Sequence, residues 1–397
     1  MTVLSHVRVL DMTNVLAGPF CCHQLTHMGA DVIKVEVPGT GDLARQLGMD
    51  PALNEKLMGV SFLAQNAGKR SITVNLKSES GKALFKKLVA TADVVVENFR
   101  PGVMERLGLG FAVLKEVNPK LIYCAISGFG QEGPLKNLPA YDQIVQGMSG
   151  LMSITGDAET APYRVGYPVA DTVGGMTAAF AIAAALAEKD RTAHMIDVSM
   201  LEATMATMGW VVSNFLIAGK TPRPMGNENF TACPSGTFKT GDAPINIAAN
   251  KQEQYEAVCD VVGRPELKTD PRFADREARL QHRAELNAIL EEAMSTASAS
   301  HWLAGLGERG VPAGPVNSVP EALAQPQIAD RGMLAKFENV PGVGRDIQVV
   351  RSGYKVDGAP VKVDTPPPTL GQHTLDLLAE LGFDAADIDK LKNEGAI

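Results

Sequence analysis

Val7-Arg8-Val9-Leu10, then Ala17-Gly18-Pro19 opening a stretch from Phe20 to Met28, then Val32-Ile33-Lys34-Val35-Glu36. The order is an apolar run, a turn, a helical segment and a second apolar run ending in a carboxylate. Near-continuous aliphatic runs mark strands buried on both faces, and Pro19 suits the first turn of a helix because its missing N–H has no partner there anyway. Outward from this unit the rhythm repeats. A helix is expected around Gly81 to Ala90, a strand at Val94 to Val96, a helix from near Val103 to Val117 and a strand at Leu121 to Ile126. Strands alternating with helices predict an α/β fold with a parallel sheet. A long helical stretch follows Asp171 to about Lys189, and another is expected over Val198 to Ala218. Thr221 to Phe238 carries Pro222, Pro224, Gly226, Pro234 and Gly236 and reads as a linker. A second unit begins with a strand at Pro244 to Ala248 and runs through helices to Leu306. Strands near Val349 and Val361 and a helix from Thr374 to Leu381 close the chain.

At 397 residues the chain is long enough for two domains. A net charge of −8 argues against a nucleic-acid binder but leaves room for a local basic pocket. Cys21, Cys22, Cys124, Cys233 and Cys259 are scattered without a C-x-x-C pair, so neither a disulfide framework nor a zinc site is expected, and a reducing cytoplasm fits. No apolar h-region of a signal peptide is read at the start. The most apolar stretch, Thr172 to Ala187, is rich in Ala and Gly and reads as a buried helix, not a membrane span.

The opening unit invites a dinucleotide-binding reading, because Glu36 stands about where a ribose-binding carboxylate would. The glycine fingerprint is missing, however, and Pro19 removes an N–H that a pyrophosphate would use. A Rossmann-like backbone is expected, and NAD on it is not. His23 and His27, spaced i, i+4, lack a completing carboxylate and read as a packed or solvated pair, so no metal is expected. No G-x-S-x-G elbow supports a serine hydrolase.

Segments along the whole chain share a pattern. They are Val9-Leu10-Asp11-Met12-Thr13 with Ala17-Gly18-Pro19; Gly29 to Glu36 with Pro38-Gly39; Asn66-Ala67-Gly68-Lys69-Arg70-Ser71; and Ala92 to Gly102. Tyr141-Asp142 with Gly147 to Gly150, Ala170-Asp171 with Gly174-Gly175, Gly310 to Val316 and Pro368 to Thr374 complete it. In this order they resemble family III (CaiB/BaiF-type) CoA-transferases. The resemblance implies a Rossmann-like large domain built from residues 1–220 and 331–397, a smaller α+β domain at 221–330, and two chains interlocked as a homodimer. It implies acyl-CoA and carboxylic acid substrates, no permanently bound cofactor, and no nucleic-acid or membrane partner.

The resemblance also makes Asp171 the nucleophile, passing through an aspartyl anhydride and an aspartyl-CoA thioester. From the residues alone, Asp171 falls near a helix start, where free N–H groups and the dipole are expected to keep it ionised. Lys69, Arg70 and Arg106 are the expected phosphate and adenosine contacts, with Asn98, Phe99, Tyr141, Leu16 and Ala17 lining the CoA site. A 2-methylacyl-CoA racemase would use the same aspartate with a histidine opposite. Tyr141 stands in that position, and a phenol with a pKa near 10 is a poor base at neutral pH. A CoA-binding protein without catalysis is the rival from another class. The chain departs from the formyl-CoA transferase branch: Leu16 replaces a glutamine, and Gly226 to Ser235 replaces a glycine-rich loop. The pattern is closer to transferases using succinyl-CoA with dicarboxylic acids. A second carboxylate would need Arg164 or polar groups of the 227–235 loop, Asn229 and Ser235 among them.

Overall fold

The computed structural model describes residues 3–397. It resolves into two compact units. The large unit takes the chain up to Leu151, then Arg164–Lys220 and Pro326–Ile397; the small unit takes Met152–Tyr163 and Thr221–Gln325. A short segment before Asp171 therefore belongs to the small unit, and the return to the large unit begins at residue 326, not 331.

Six strands form the large unit's sheet: β1 (Arg8–Asp11), β2 (Asp31–Glu36), β3 (Arg70–Thr73), β4 (Val94–Glu97), β5 (Ile122–Ser127) and β6 (His194–Ser199). Their order is β3-β2-β1-β4-β5-β6, and every pairing is parallel. This is the doubly wound arrangement, whose strand order reverses beside β1 and opens a crevice at the carboxyl ends of β1 and β4. Val94, Val95 and Val96 are fully buried, as the unbroken apolar run requires. One core lies on each face of the sheet, the first with Phe85, Leu88 and Leu378, the second with Leu25, Ile126 and Ile182.

Two expected helices are each interrupted. The Val103–Arg106 helix ends before Gly108, which takes φ 71, and Phe111–Val117 begins anew. The stretch read as one helix over Val198 to Ala218 contains the end of β6, then Met200–Thr207 and Gly209–Ala218. β3 and β6 had no counterpart in the sequence reading, because their alternation is masked by polar residues. Near Val361 there is no long strand, only the two-residue pair Lys355–Val356 and Ala359–Pro360. The small unit carries an antiparallel sheet, β7 (Ser235–Phe238), β8 (Ile245–Ala248) and β9 (Ala313–Pro315), over a core with Tyr255, Phe273 and Leu290.

Candidate active site

The loop leaving β1 is held from below by buried charge. Asp11, Lys34, Asp42 and Lys69 all lie at or near zero exposure. Lys34 Nζ reaches Asp42 at 2.9 Å and donates to the Thr13 carbonyl at 2.8 Å, while Lys69 Nζ reaches Asp11 at 2.8 Å. Burial works against ionising Asp11, but Lys34 and Lys69 outweigh it and bring its pKa down to about 2. Asp42 also accepts the N–H of Val15 at 2.9 Å. Val15 has φ 67, a conformation costly for a β-branched residue, and this contact over-determines it. Leu16 and Ala17 follow directly, at the start of the Ala17–His27 helix, whose first N–H groups have no side-chain cap.

Across from them stands the Val169–Leu186 helix, with Asp171 in its first turn. Its approach is set by Gly175, where a β-carbon would lie 2.3 Å from the Ala17 carbonyl oxygen. By length and composition this helix could cross a membrane, yet Gly174 and Gly175 are buried against Met200 and the Ala17 helix within the large unit.

The expected reason for Asp171 being ionised is overturned. Asp142, in the Asp142–Met148 helix, accepts the N–H of Ala170 at 2.8 Å and, at 3.4 Å, that of Asp171. The helix start thus serves the Asp142 carboxylate, which is itself steadied by Gln146 Nε2 at 2.6 Å. Asp171 is left partly buried beside that charge. Burial first, and Asp142 second, raise its pKa to about 7.

Asp171, Leu16, Ala17, Asn98, Phe99 and Tyr141 line one cleft of about 350 Å³ at the carboxyl end of the sheet. Asn98 is bound reciprocally to the backbone of Asn14, with both contacts at 2.8 Å, so it ties the loops after β1 and β4 together. Tyr141 is 71% exposed. The cleft also contains two cations that the sequence reading did not select, Arg100 and Lys136, and neither has an ion-pair partner among the described residues. Arg100 lies inside the Ala92 to Gly102 segment of the shared pattern; Lys136 sits between two prolines in the loop after β5, where strand order places ligands but no periodicity signals one.

Three of the expected phosphate contacts are elsewhere. Lys69 is 1% exposed and is consumed by Asp11 and the Pro19 carbonyl, so it cannot reach a phosphate. Arg70 begins β3, at the opposite end of the sheet, and is bound to Asp31 and Glu380. Arg106 is exposed on the short helix after the loop and does not line the cleft; its guanidinium lies beside Gly102. Arg164 is exposed and also outside the cleft lining. Asn229 and Ser235 line an open polar recess of the small unit, with Asn227, Thr237 and Asn246. The backbone of this loop is fixed: Arg283, Arg276 and Arg279 donate to the carbonyls of Asn229, Thr231 and Cys233 at 2.6, 2.7 and 2.9 Å. His23 and His27 are a buried pair with rings tilted by 59° and centroids 4.0 Å apart, and His27 Nδ1 lies 2.6 Å from Ser352 Oγ.

The chain matches the model of CoA-transferase family III over residues 4–374. It is similar to an acetyl-CoA:oxalate CoA-transferase of Acetobacter aceti, 44% identical over 87% of this chain and 88% of that one. It is also similar to the succinyl-CoA:glutarate CoA-transferase of Mus musculus, 37% identical over 100% of this chain and 91% of that one. Among solved structures, a CaiB/BaiF family protein from Brucella suis superposes with a TM-score of 0.81 at 36% identity, covering 94% of this chain and 98% of that one.

Proposed function

The chain belongs to CoA-transferase family III, and from that premise we propose that it moves CoA from a dicarboxylyl-CoA such as succinyl-CoA to a dicarboxylic acid, with Asp171 as nucleophile. One observation carries the assignment of the nucleophile. Among the described residues the Asp171 carboxylate has no cation partner, and it opens into the cleft that holds Arg100 and Lys136, neither of them in an ion pair there.

The Asp171 oxygen attacks the thioester carbon, the C–S bond breaks, and CoA leaves as thiolate from a mixed anhydride. The thiolate attacks the aspartyl carbonyl and frees the donor acid, giving aspartyl-CoA. The acceptor carboxylate attacks that carbonyl, and the thiolate returns to the new acyl group, restoring Asp171. Each tetrahedral stage needs N–H donors. Those of the Asp171 helix are engaged by Asp142, so the uncapped N–H groups at Leu16 and Ala17 take the role. Arg100 and Lys136 take phosphates. A recess of about 250 Å³, sharing Asn14 and Phe99 with the cleft and lined by Val35, Val74 and Leu107, suits adenine, with Lys77 at its wall.

The distal carboxylate falls to Arg164, which has no ion-pair partner among the described residues. The enzyme acts as a homodimer in the cytoplasm and needs no resident cofactor; five free, buried cysteines suit a reducing compartment. The racemase alternative lacks a partner base, because no histidine lines the cleft among the described residues. The test is twofold. Mass spectrometry after incubation with succinyl-CoA should find CoA on the Asp171 peptide. A panel of succinyl-, acetyl- and formyl-CoA against C2 to C6 acids should favour dicarboxylates; preference for monocarboxylates, or no adduct, overturns the reading.

A further inference from the structure

Beneath the cleft lies a carboxylate that the chemistry above does not use. Glu97 ends β4, is 5% exposed, and immediately precedes Asn98, Phe99, Arg100 and Pro101 of the cleft wall. Its Oε2 accepts the Phe99 N–H at 2.7 Å, and its Oε1 accepts the Tyr123 hydroxyl from β5 at 3.3 Å. The charges facing it have its own sign: Glu105 from the Val103–Arg106 helix and Asp197 from β6. Cys124 of β5 is neutral, burial holding its thiol well above the usual range. The nearest cation in sequence, Arg100, is exposed and makes no ion pair with Glu97. A buried carboxylate without a cation is costly to keep ionised. Burial, offset in part by the Phe99 and Tyr123 contacts, moves its pKa up to about 7.

We propose that Glu97 is a positioning residue for the CoA-binding loop and that it takes up a proton as CoA binds. The inference rests on the cleft being the CoA site. Docking CoA brings several negative charges onto the loop whose Phe99 N–H Glu97 holds, and neutralising the buried carboxylate by protonation is the least costly response. Both states keep the loop in place. A protonated Glu97 still accepts from Phe99, and the Tyr123 hydroxyl can turn to accept where it had donated. By linkage, CoA affinity falls as pH rises through 7 to 8, because the proton gained on binding becomes harder to obtain.

The experiment uses the full chain with Asp171→Asn, which removes the other carboxylate titrating near 7, and free CoA as probe. Isothermal titration at pH 7.5 in buffers of different ionisation heat counts protons. Uptake of about half a proton per CoA is expected to disappear on adding Glu97→Gln, since the comparison cancels the phosphates' own titration. The same change should tighten binding at pH 8.5 and leave it little altered at pH 6.5. Tyr123→Phe removes the hydroxyl that favours the ionised form, so uptake should move to higher pH; this variant carries the test if Glu97→Gln does not fold. An unchanged proton count in Glu97→Gln overturns the inference while leaving the CoA site standing. Failure of CoA to bind, or an Arg100→Ala variant with unaltered affinity, overturns the cleft assignment and the inference with it.

Discussion

Asp171 stands where a carboxylate ionises reluctantly, and that reluctance would make its anion reactive in the proposed transfer. Attack requires the ionised form, and with a pKa near 7 the free-enzyme kcat/KM should fall tenfold per pH unit below about 7. A flat profile from pH 5.5 to 8 would remove Asp171 from the first step. The stability sign runs the other way. The folded pKa lies above the unfolded value of about 3.9, so this group costs stability as pH rises from about 4 to 7, and the cost is complete above that. Asp171→Asn should therefore abolish transfer yet melt a few degrees above the wild type at pH 8, with the difference vanishing near pH 4. Lys34 presents the opposite case. It is buried against Asp11 and Asp42, so Lys34→Met leaves two buried carboxylates short of a partner and should cost about 3–5 kcal/mol by denaturant titration. Motif order in the sequence pointed to Asp171, Asn98 and Phe99, and the structure gathers them in one cleft. It could not distinguish Lys69 from Arg100, since a lysine beside an arginine reads alike whether it meets solvent or Asp11. Nor did it disclose that Asp142, far along the chain, would occupy the helix start at Asp171.

Among elements, the decisive contact is helix against helix. Gly175 lets the Asp171 helix touch the Ala17 backbone, and a β-carbon would meet a carbonyl oxygen that cannot rotate away. Gly175→Ala should fold, but by moving Asp171 relative to Leu16 and Ala17 it should lower kcat by about 10–100-fold with a smaller change in KM. An unaltered kcat would show that the spacing is slack. The loop at residues 229–233 makes a second case. It lies in the stretch that reads as a linker, but arginines on the neighbouring helices bind three of its carbonyls. Arg279 is buried, binds the Phe273 carbonyl as well, and stacks over Tyr255 at 4.2 Å. Arg279→Met should leave buried acceptors unpaired at about 1–3 kcal/mol and speed amide exchange through residues 229–235; unchanged exchange would contradict the clamp. Local composition announced the loop through its prolines and glycines, while the arginines that fix it lie some 45 to 55 residues later and carried no local signal.

At the scale of the molecule, the β/α rhythm sufficed for a parallel sheet, but only the pairings reveal the strand order that opens the crevice beside β1. One feature of the large unit has no internal explanation. The Gly209–Ala218 helix buries none of its residues: Trp210 is 79% exposed, Ile217 is 86% exposed, and Phe215 and Leu216 are also in the open. Phe180 and Met176 of the Asp171 helix add to the exposed apolar area. Burying side chains of this size is worth roughly 1.5–3 kcal/mol each, so together they could stabilise an association strongly. On the homodimer proposed above, a second copy of the chain would cover this face. Light scattering of the wild type should then give twice the chain mass of 42.1 kDa across the working concentration range. Ile217→Asp combined with Phe180→Asp would force charges into that contact and should yield a monomer or an aggregating chain, with transfer lost although both positions lie outside the cleft lining. A wild type that is monomeric and fully active would sink the dimer. A wild type that instead floats with lipid vesicles would assign the apolar helices to a membrane surface.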